Sequence, residues 1–342
     1  MTKTAIVILN WNGLSFLQMF LSKVVAHSSV PGTAIWLVDN GSADGSAEWV
    51  RQNIKEVNII EFETNQGYAG GYVRALEMID AEYFVLLNSD IEVTPGWLEP
   101  LVTHMDNNVR TAACQPKILS YFKRTHFEYA GASGGFIDKF GFPFCRGRVL
   151  SVVEEDNGQY DTPMPVFWAS GACIIVRASS YREAGGLDPE FFAHMEEIDL
   201  CWRLQNLGYH IFAVPDSVVF HVGGGTLKYD TPGKSYLNFR NNLFMLYKNL
   251  PEKNFGKILF IKMLIDGMAA ITFLFSGKPR HFAAVLRAHR DYYRAGNRLR
   301  TQRERGVAAG RDSRLSRVTR LNKSIVFLFY FKRVRRYSDI NF

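Results

Sequence analysis

Short apolar, β-branched runs alternate with stretches of helical periodicity through the first ninety residues. Thr4 to Leu9 (TAIVIL) and Ala34 to Val38 (AIWLV) read as buried strands, with a helical stretch from Leu14 to His27 between them. Asn58 to Glu63 and Tyr83 to Leu87 (YFVLL) supply two more strands, and the helix between them is predicted to begin near Gly70. Strand, helix, strand in this order predicts an α/β protein opening on a parallel sheet. Farther along, the pattern predicts a strand over Gly171 to Val176, an acidic helix from Met195 to Leu207, and a strand over Ser217 to His221. The glycine run Gly223, Gly224 and Gly225 that follows predicts a mobile or tightly turned loop. Each of the first four strands ends in a polar cluster: Asn10-Trp11-Asn12, Asp39-Asn40-Gly41-Ser42, Asn65-Gln66-Gly67 and Asn88-Ser89-Asp90. Ligands of open α/β sheets sit at the carboxyl ends of strands, so these clusters outline a site before any motif is named.

After Pro251 the pattern changes. Ile258 to Phe275 is apolar except for Lys262 and Asp266, four residues apart and so on one helical face. It is short for a membrane span, and an in-plane interfacial helix fits it better. A last apolar run, Ser324 to Phe331, is flanked by Lys323 and by Lys332, Arg333, Arg335 and Arg336. The net charge of +7 hides an asymmetry that sharpens this contrast. Residues 1–277 carry 22 Lys and Arg against 29 Asp and Glu, whereas residues 278–342 carry 18 against 4. The acidic body argues against a nucleic-acid partner, and apolar faces beside clustered cations suit peripheral contact with an anionic membrane surface. The competing reading is a helical pair docked on the body with its arginines solvated. The opening residues show no secretory signal, which predicts a cytoplasmic protein at the inner face of the cell membrane. Cys114, Cys145, Cys173 and Cys201 form no Cys-x-x-Cys pair and read as reduced thiols.

Four features carry chemistry. Asp39 is placed to accept hydrogen bonds from a base or ribose, although Asp-Asn-Gly-Ser is equally good turn chemistry. Asp90, fixed at a sheet rim, is a hard oxygen ligand for Mg²⁺ or Mn²⁺; alone it is a weak metal site. His221 is the candidate to complete it, and an imidazole tilts the choice towards Mn²⁺. In the cluster Glu196-Glu197-Ile198-Asp199, neighbouring carboxylates raise one another's pKa, which suits a general base; the plainer reading is acidic residues favouring a helix N-terminus. Helical geometry places Glu196 and Asp199 on one face and Glu197 on another.

Taken in order, VILNWNG, VDNGSADGS, NQGYAGG, LLNSDIEV, SGACIIVR, GGLDPEFFAHMEEIDLCWR and VVFHVGGGT followed by NFRNN resemble the inverting glycosyltransferases of family 2, in particular the bacterial rhamnosyltransferase-like branch. The resemblance covers about residues 4 to 250. It implies a GT-A fold, a Rossmann-like, mostly parallel sheet with flanking helices, over residues 1–250; the apolar pattern and the charge, not the resemblance, predict a basic, amphipathic helical C-terminal region over 251–342. It implies a nucleotide-diphospho-sugar donor, a divalent cation and a glycan or lipid-linked acceptor. Carried over, Asp39 contacts the nucleobase, Asn10 and Asn12 line the donor pocket, Asn65, Gly67 and Gly70 lie near the ribose, and Asp90 and His221 hold the metal. Glu197 takes the place of the base, with Glu196 and Asp199 in support. Gly171, Ala172, Trp202 and Arg203 fall on the acceptor side, and Lys234, Arg240 and Asn241 close over the diphosphate. Asn88 stands where the fuller motif has an Asp, Glu197 where it has a shorter Asp, and Val73 where related sequences often carry Asn. Two other readings are a sugar-phosphate nucleotidyltransferase, which needs a basic glycine-rich loop that Asn10-Trp11-Asn12-Gly13 lacks, and a non-enzymatic membrane scaffold, which leaves the polar strand ends without a role.

Overall fold

The computed structural model describes residues 2–223, 230–308 and 318–342. Gly224 and Gly225 of the glycine run, and 309–317 of the basic C-terminal region, lie outside the described residues. The predicted β-branched runs form β1 (Thr2–Asn10), β2 (Thr33–Asn40), β3 (Val57–Phe62) and β4 (Ala81–Asn88). They pair in parallel in the order β4-β1-β2-β3, connected through α1 (Leu14–His27), α2 (Ser46–Asn53) and α3 (Gly67–Met78). Both faces of β1 are covered. Ile6 and Ile8 pack with Leu17, Leu21 and Val24 of α1, while Ala5 and Val7 pack with Tyr72, Ala75 and Leu76 of α3. That two-sided burial is why the strand reads as a continuous apolar run and not as an alternation.

The second half of the sheet is mixed. Chain order continues with β5 (Ile91–Val93), α4 (Leu98–Asn107), β6 (Thr111–Ser120), β7 (Gly135–Asp138), β8 (Pro143–Cys145), β9 (Arg148–Val149), β10 (Val152–Val153), β11 (Met164–Pro165), β12 (Cys173–Arg177), α5 (Ala178–Glu183), α6 (Glu196–Asn206) and β13 (His210–His221). The main sheet runs β11-β13-β6-β12-β4-β1-β2-β3, with β5 on β13. β12 is antiparallel to β4 and β6, and β13 is parallel to β6. β6 and the first half of β13 are not among the predicted strands. The apolar run of β6 is interrupted by Gln115-Pro116-Lys117, whose buried polar groups are satisfied by later segments: the Lys117 ammonium meets Asp156 at 2.8 Å, and the Gln115 amide donates to the Gly131 and Ala132 carbonyls. β13 breaks register between Val214 and Val218, around Pro215.

The C-terminal part comprises α7 (Pro232–Asn249), α8 (Phe255–Phe275), α9 (Pro279–Arg294), α10 (Gly296–Ala308), β14 (Arg320–Leu321) and α11 (Ile325–Tyr330). It is bonded into the body. β14 pairs in parallel with β7, completing a small sheet of order β10-β9-β8-β7-β14. The Ile325 N–H donates to Asp138, the Tyr337 N–H to Glu154, and the Thr319 hydroxyl to Gln205. Docking on the body and an outward apolar surface are therefore both present in this region, where the sequence set them as alternatives.

Candidate active site

Register brings the polar strand ends to one edge, with Asn10 opposite Asp39 and Leu9 opposite Asn88. There they border a cleft of ≈ 770 Å³. Of the residues given a site role from the sequence, Asn65, Gly67, Asn88, Asp90, Gly171, Ala172, Glu196, Glu197, His221 and Lys234 line it, whereas Asn10, Asn12, Asp39, Gly70, Asp199, Trp202, Arg203, Arg240 and Asn241 do not.

At one end Asn40 organises the rim. Its amide donates to Asn65 Oδ1 (3.1 Å) and to the Gly67 carbonyl (3.0 Å), and its oxygen accepts the Gln66 N–H (2.9 Å). Gly67 has φ +73°, and a Cβ there would lie 2.7 Å from the Phe192 carbonyl oxygen, so only glycine fits. Asn10, Asn12 and Asp39 sit behind this rim and are occupied with turn geometry. Asp39 accepts from the Asn10 amide (3.2 Å), the Ser42 N–H (2.9 Å) and the Ser46 hydroxyl (3.2 Å), while Asn12 exchanges bonds with Ser42 and Ala43. Gly70 faces Gln66 and Pro189, off the cleft.

On the cleft floor, His221 Nε2 is 3.2 Å from Asp90 Oδ1, and its Nδ1 is 3.4 Å from Glu128 Oε2. All three residues are buried. Burial alone would push the imidazole pKa down, but the adjoining Asp90 and Glu128 carboxylates outweigh it and raise it to about 10. Among the described residues no three His, Cys, Asp or Glu side chains form a metal-ligand cluster. Asp90 and His221 would offer converging oxygen and nitrogen donors once cation binding displaces the imidazole proton, with Glu128 behind the ring to orient it. That donor set fits a divalent cation that takes its remaining ligands from phosphate oxygens. Glu128 comes from an irregular segment with no local signature, so nothing in the sequence pointed to it.

Opposite, Glu196 and Glu197 open α6 and both reach the cleft, each with one buried carboxylate oxygen lacking a hydrogen-bond partner. Burial pushes the Glu197 carboxyl up to about 7, against the pull of the helix's first amides and the Gly171 N–H. Burial and then the neighbouring Glu197 push Glu196 well above the usual carboxylate range. Contrary to the face argument, it is Asp199 that turns away. It is fully buried against Lys248 (2.9 Å), Arg203 (2.9 Å) and Asn249 (2.8 Å), and those cations outweigh burial to hold its pKa low. Arg203 follows it, binding Asp199 and the Ala184 carbonyl, and Trp202 packs on Phe167 in the core. These three residues therefore hold α6 in place and do not line the cleft.

The loop entering α6 is strained, with Phe192, His194 and Met195 at φ +62°, +71° and +72°. Asn241, fully buried on α7, donates its side-chain amide to the carbonyls of Phe191 (2.8 Å), Ala193 (2.9 Å) and His194 (2.8 Å). Arg240 donates to Glu190 (2.8 Å) and Phe191 (3.1 Å). Both are bonded to the loop and do not line the cleft; of the three predicted clamp residues, Lys234 alone lines it. His194 also lines it, its pKa pushed down to about 4 by burial and by Lys234, so the ring is neutral.

Residues 5–183, just over half of the chain, match the model of Glycosyl transferase family 2. The chain belongs to glycosyltransferase family 2. This family 2 chain is 26% identical over 220 residues to N-acetylglucosaminyl-diphospho-decaprenol L-rhamnosyltransferase of Mycobacterium tuberculosis, spanning 60% of this chain and 71% of the relative. It is 24% identical over 270 residues to the low-salt glycan biosynthesis hexosyltransferase Agl10 of Haloferax volcanii, spanning 76% and 83%. The fold is shared with Staphylococcus aureus TarS 1-349 in complex with UDP-GlcNAc: TM-score 0.58, 14% identity, 86% of this chain and 81% of that one. It is also shared with the mannosyltransferase PcManGT of Pyrobaculum calidifontis in complex with GDP-Man and Mn²⁺: TM-score 0.52, 12% identity, 85% and 87%. The glycosyltransferase has a GT-A fold.

Proposed function

We propose that this glycosyltransferase moves a sugar from a nucleotide-diphospho-sugar onto a hydroxyl of a glycan or lipid-linked acceptor in a single displacement with inversion, Glu197 serving as the base. The observation that carries this reading is the Glu197 carboxyl: half-buried at the cleft, with one buried oxygen unpartnered and a pKa near neutrality, it can take a proton at working pH. The acceptor oxygen then bonds the anomeric carbon as the bond from that carbon to the diphosphate oxygen breaks, and the nucleoside diphosphate leaves. Asn40, Asn65 and Gly67 offer the rim for the nucleoside, and Asp90 and His221 would hold the divalent cation beside the diphosphate. When bound, that cation neutralises the charge growing on the leaving group. Lys234 adds a cationic side chain on the same cleft. Glu196, next to Glu197, keeps the pair from ionising together. The lipid-diphosphate acceptor and the donor complexes named for the relatives support the substrate classes.

Residues 1–250 form the catalytic part in this reading, and the basic region 251–342 brings the protein to an anionic membrane surface at the cell's inner face. The test is a panel of UDP-, GDP- and dTDP-sugars with Mn²⁺, Mg²⁺ or chelator, read as released nucleoside diphosphate. Metal-dependent release from one donor, lost in Glu197→Gln, is expected. Near-normal turnover by Glu197→Gln removes it from the base role.

A further inference from the structure

α8 has its polarity reversed. Its two buried charges, Lys262 (2% exposed) and Asp266 (0%), point into the protein as an ion pair, with His289 of α9 3.5 Å from Asp266. Phe260 (64% exposed), Leu264, Met268, Ile271 and Phe275 (87%) point outward. Their spacing of four, four, three and four residues keeps them on one face. A helix on a water-soluble surface shows the opposite arrangement, charge out and apolar side chains in. The inward face is also a wall of the cleft. Lys262 lines it, its ammonium 4.6 Å from the ring centre of Phe142 and 5.6 Å from that of Phe239, both cleft residues.

α11 lies against the same neighbour. Phe142 belongs to the β7–β8 hairpin, whose Asp138 accepts the first N–H of α11, and the Lys262 charge acts on that same Asp138. Phe327 and Tyr330 of α11, and Phe331 just after it, are exposed on the element bonded to this hairpin. Lys253, Lys257, Lys278 and Arg280 lie around the ends of α8, and Lys332, Arg333, Arg335 and Arg336 follow α11. Apolar side chains ringed by cations match the headgroup region of an anionic bilayer and not a neutral one. A helix is about 10 Å across, so a bilayer seated on the outer face of α8 lies about that far from the cleft.

We infer that α8 and α11 seat the protein on an anionic bilayer with the β7–β8 hairpin turned towards the lipid, and that the acceptor is a lipid-anchored glycan whose head enters the cleft past Phe142. This rests on the glycosyl-transfer reading above and adds the face, the orientation and the class of acceptor.

The orientation is tested without substrates. The native cysteines are buried, so a single added cysteine takes a polarity-sensitive dye. Leu264→Cys reports on α8, Lys139→Cys on the hairpin turn, and Met78→Cys on the end of α3, at the sheet edge opposite the cleft. With phosphatidylglycerol vesicles the first two dyes are expected to shift to the blue and the third to stay in water; phosphatidylcholine alone should give little shift. The triple variant Phe260→Ser, Leu264→Ser, Met268→Ser should partition to vesicles at least roughly tenfold more weakly. A shielded Met78 dye, no shift at Leu264, or a Leu264 dye already shielded without vesicles by a second copy of the chain overturns the inference. For the acceptor, the radiolabelled donor sugar is supplied with membranes of the producing organism. Label in the organic extract is expected with the wild type and is lost in the triple variant. Label confined to water-soluble product overturns it. Donor cleavage in vesicle-free buffer, which the triple variant retains, separates failure of this inference from failure of the glycosyl-transfer reading.

Discussion

Replacing Asn241 by Ala tests whether the base is held in position from α7. The Asn241 amide has two protons and three carbonyl partners at 2.8 to 2.9 Å, so its removal takes away two full hydrogen bonds' worth of pairing from a buried loop. A buried carbonyl left without a partner costs about 1–3 kcal/mol, so two of them set the expected loss of stability at about 2–6 kcal/mol. Arg240 still holds Glu190 and Phe191, so the front of the loop stays anchored. The strain lies beyond that anchor. Each left-handed residue among Phe192, His194 and Met195 stores roughly 1–3 kcal/mol, and relaxation of His194 and Met195 shifts the start of α6, where Glu197 is the second residue. A displacement of about 1 Å costs roughly a hundredfold in rate. Denaturant unfolding should therefore show the stability loss, and turnover should show kcat down about a hundredfold, with donor affinity essentially that of wild type. If stability falls while kcat holds, the loop keeps its shape without Asn241 and the reasoning fails. If donor affinity falls while kcat holds, Asn241 contacts the donor, as the family resemblance implies.

Glu197→Gln should lower transfer at least roughly a hundredfold and abolish a pH profile that rises through about pH 7, because the base must be ionised; a profile unchanged in the variant removes the assignment. The same group has a stability signature. Its folded pKa lies above its unfolded value, so its contribution is fully present below about pH 4.5 and is lost as pH rises through about 7, and the variant should lack that part of the decline in chemical denaturation. Asp90→Ala should remove the Mn²⁺ dependence of nucleotide-sugar binding in calorimetry, and an unchanged titration would sink the cation site at Asp90 and His221. Lys262→Met strands Asp266 in the interior and should cost about 3–5 kcal/mol, whereas Lys262→Met with Asp266→Leu should recover most of it; equal losses would mean that the pair is not the buried unit described.

The apolar runs and helical periods of the chain determined by themselves the four parallel strands, α1 from Leu14 to His27, the acidic helix and the apolar helix near the C-terminus. These patterns are local, and each follows from what a short segment must bury. The order of polar strand ends also placed Asn65, Asn88 and Asp90 at one rim, because parallel strands deliver their carboxyl ends to the same edge. Burial class did not follow where polar residues sit inside, and so β6 was missed: Gln115 and Lys117 find their partners in a segment that follows the strand. Which carboxylate of the acidic cluster meets the cleft was decided by Lys248 and Asn249, about fifty residues on, because they draw Asp199 to the opposite side of α6. Glu128 reaches His221 across 93 residues of sequence, and Asn241 reaches His194 across 47. The reversal of α8 was equally unreadable. Spacing puts Lys262 and Asp266 on one face, but only packing against the body decides whether that face points to water or to the cleft.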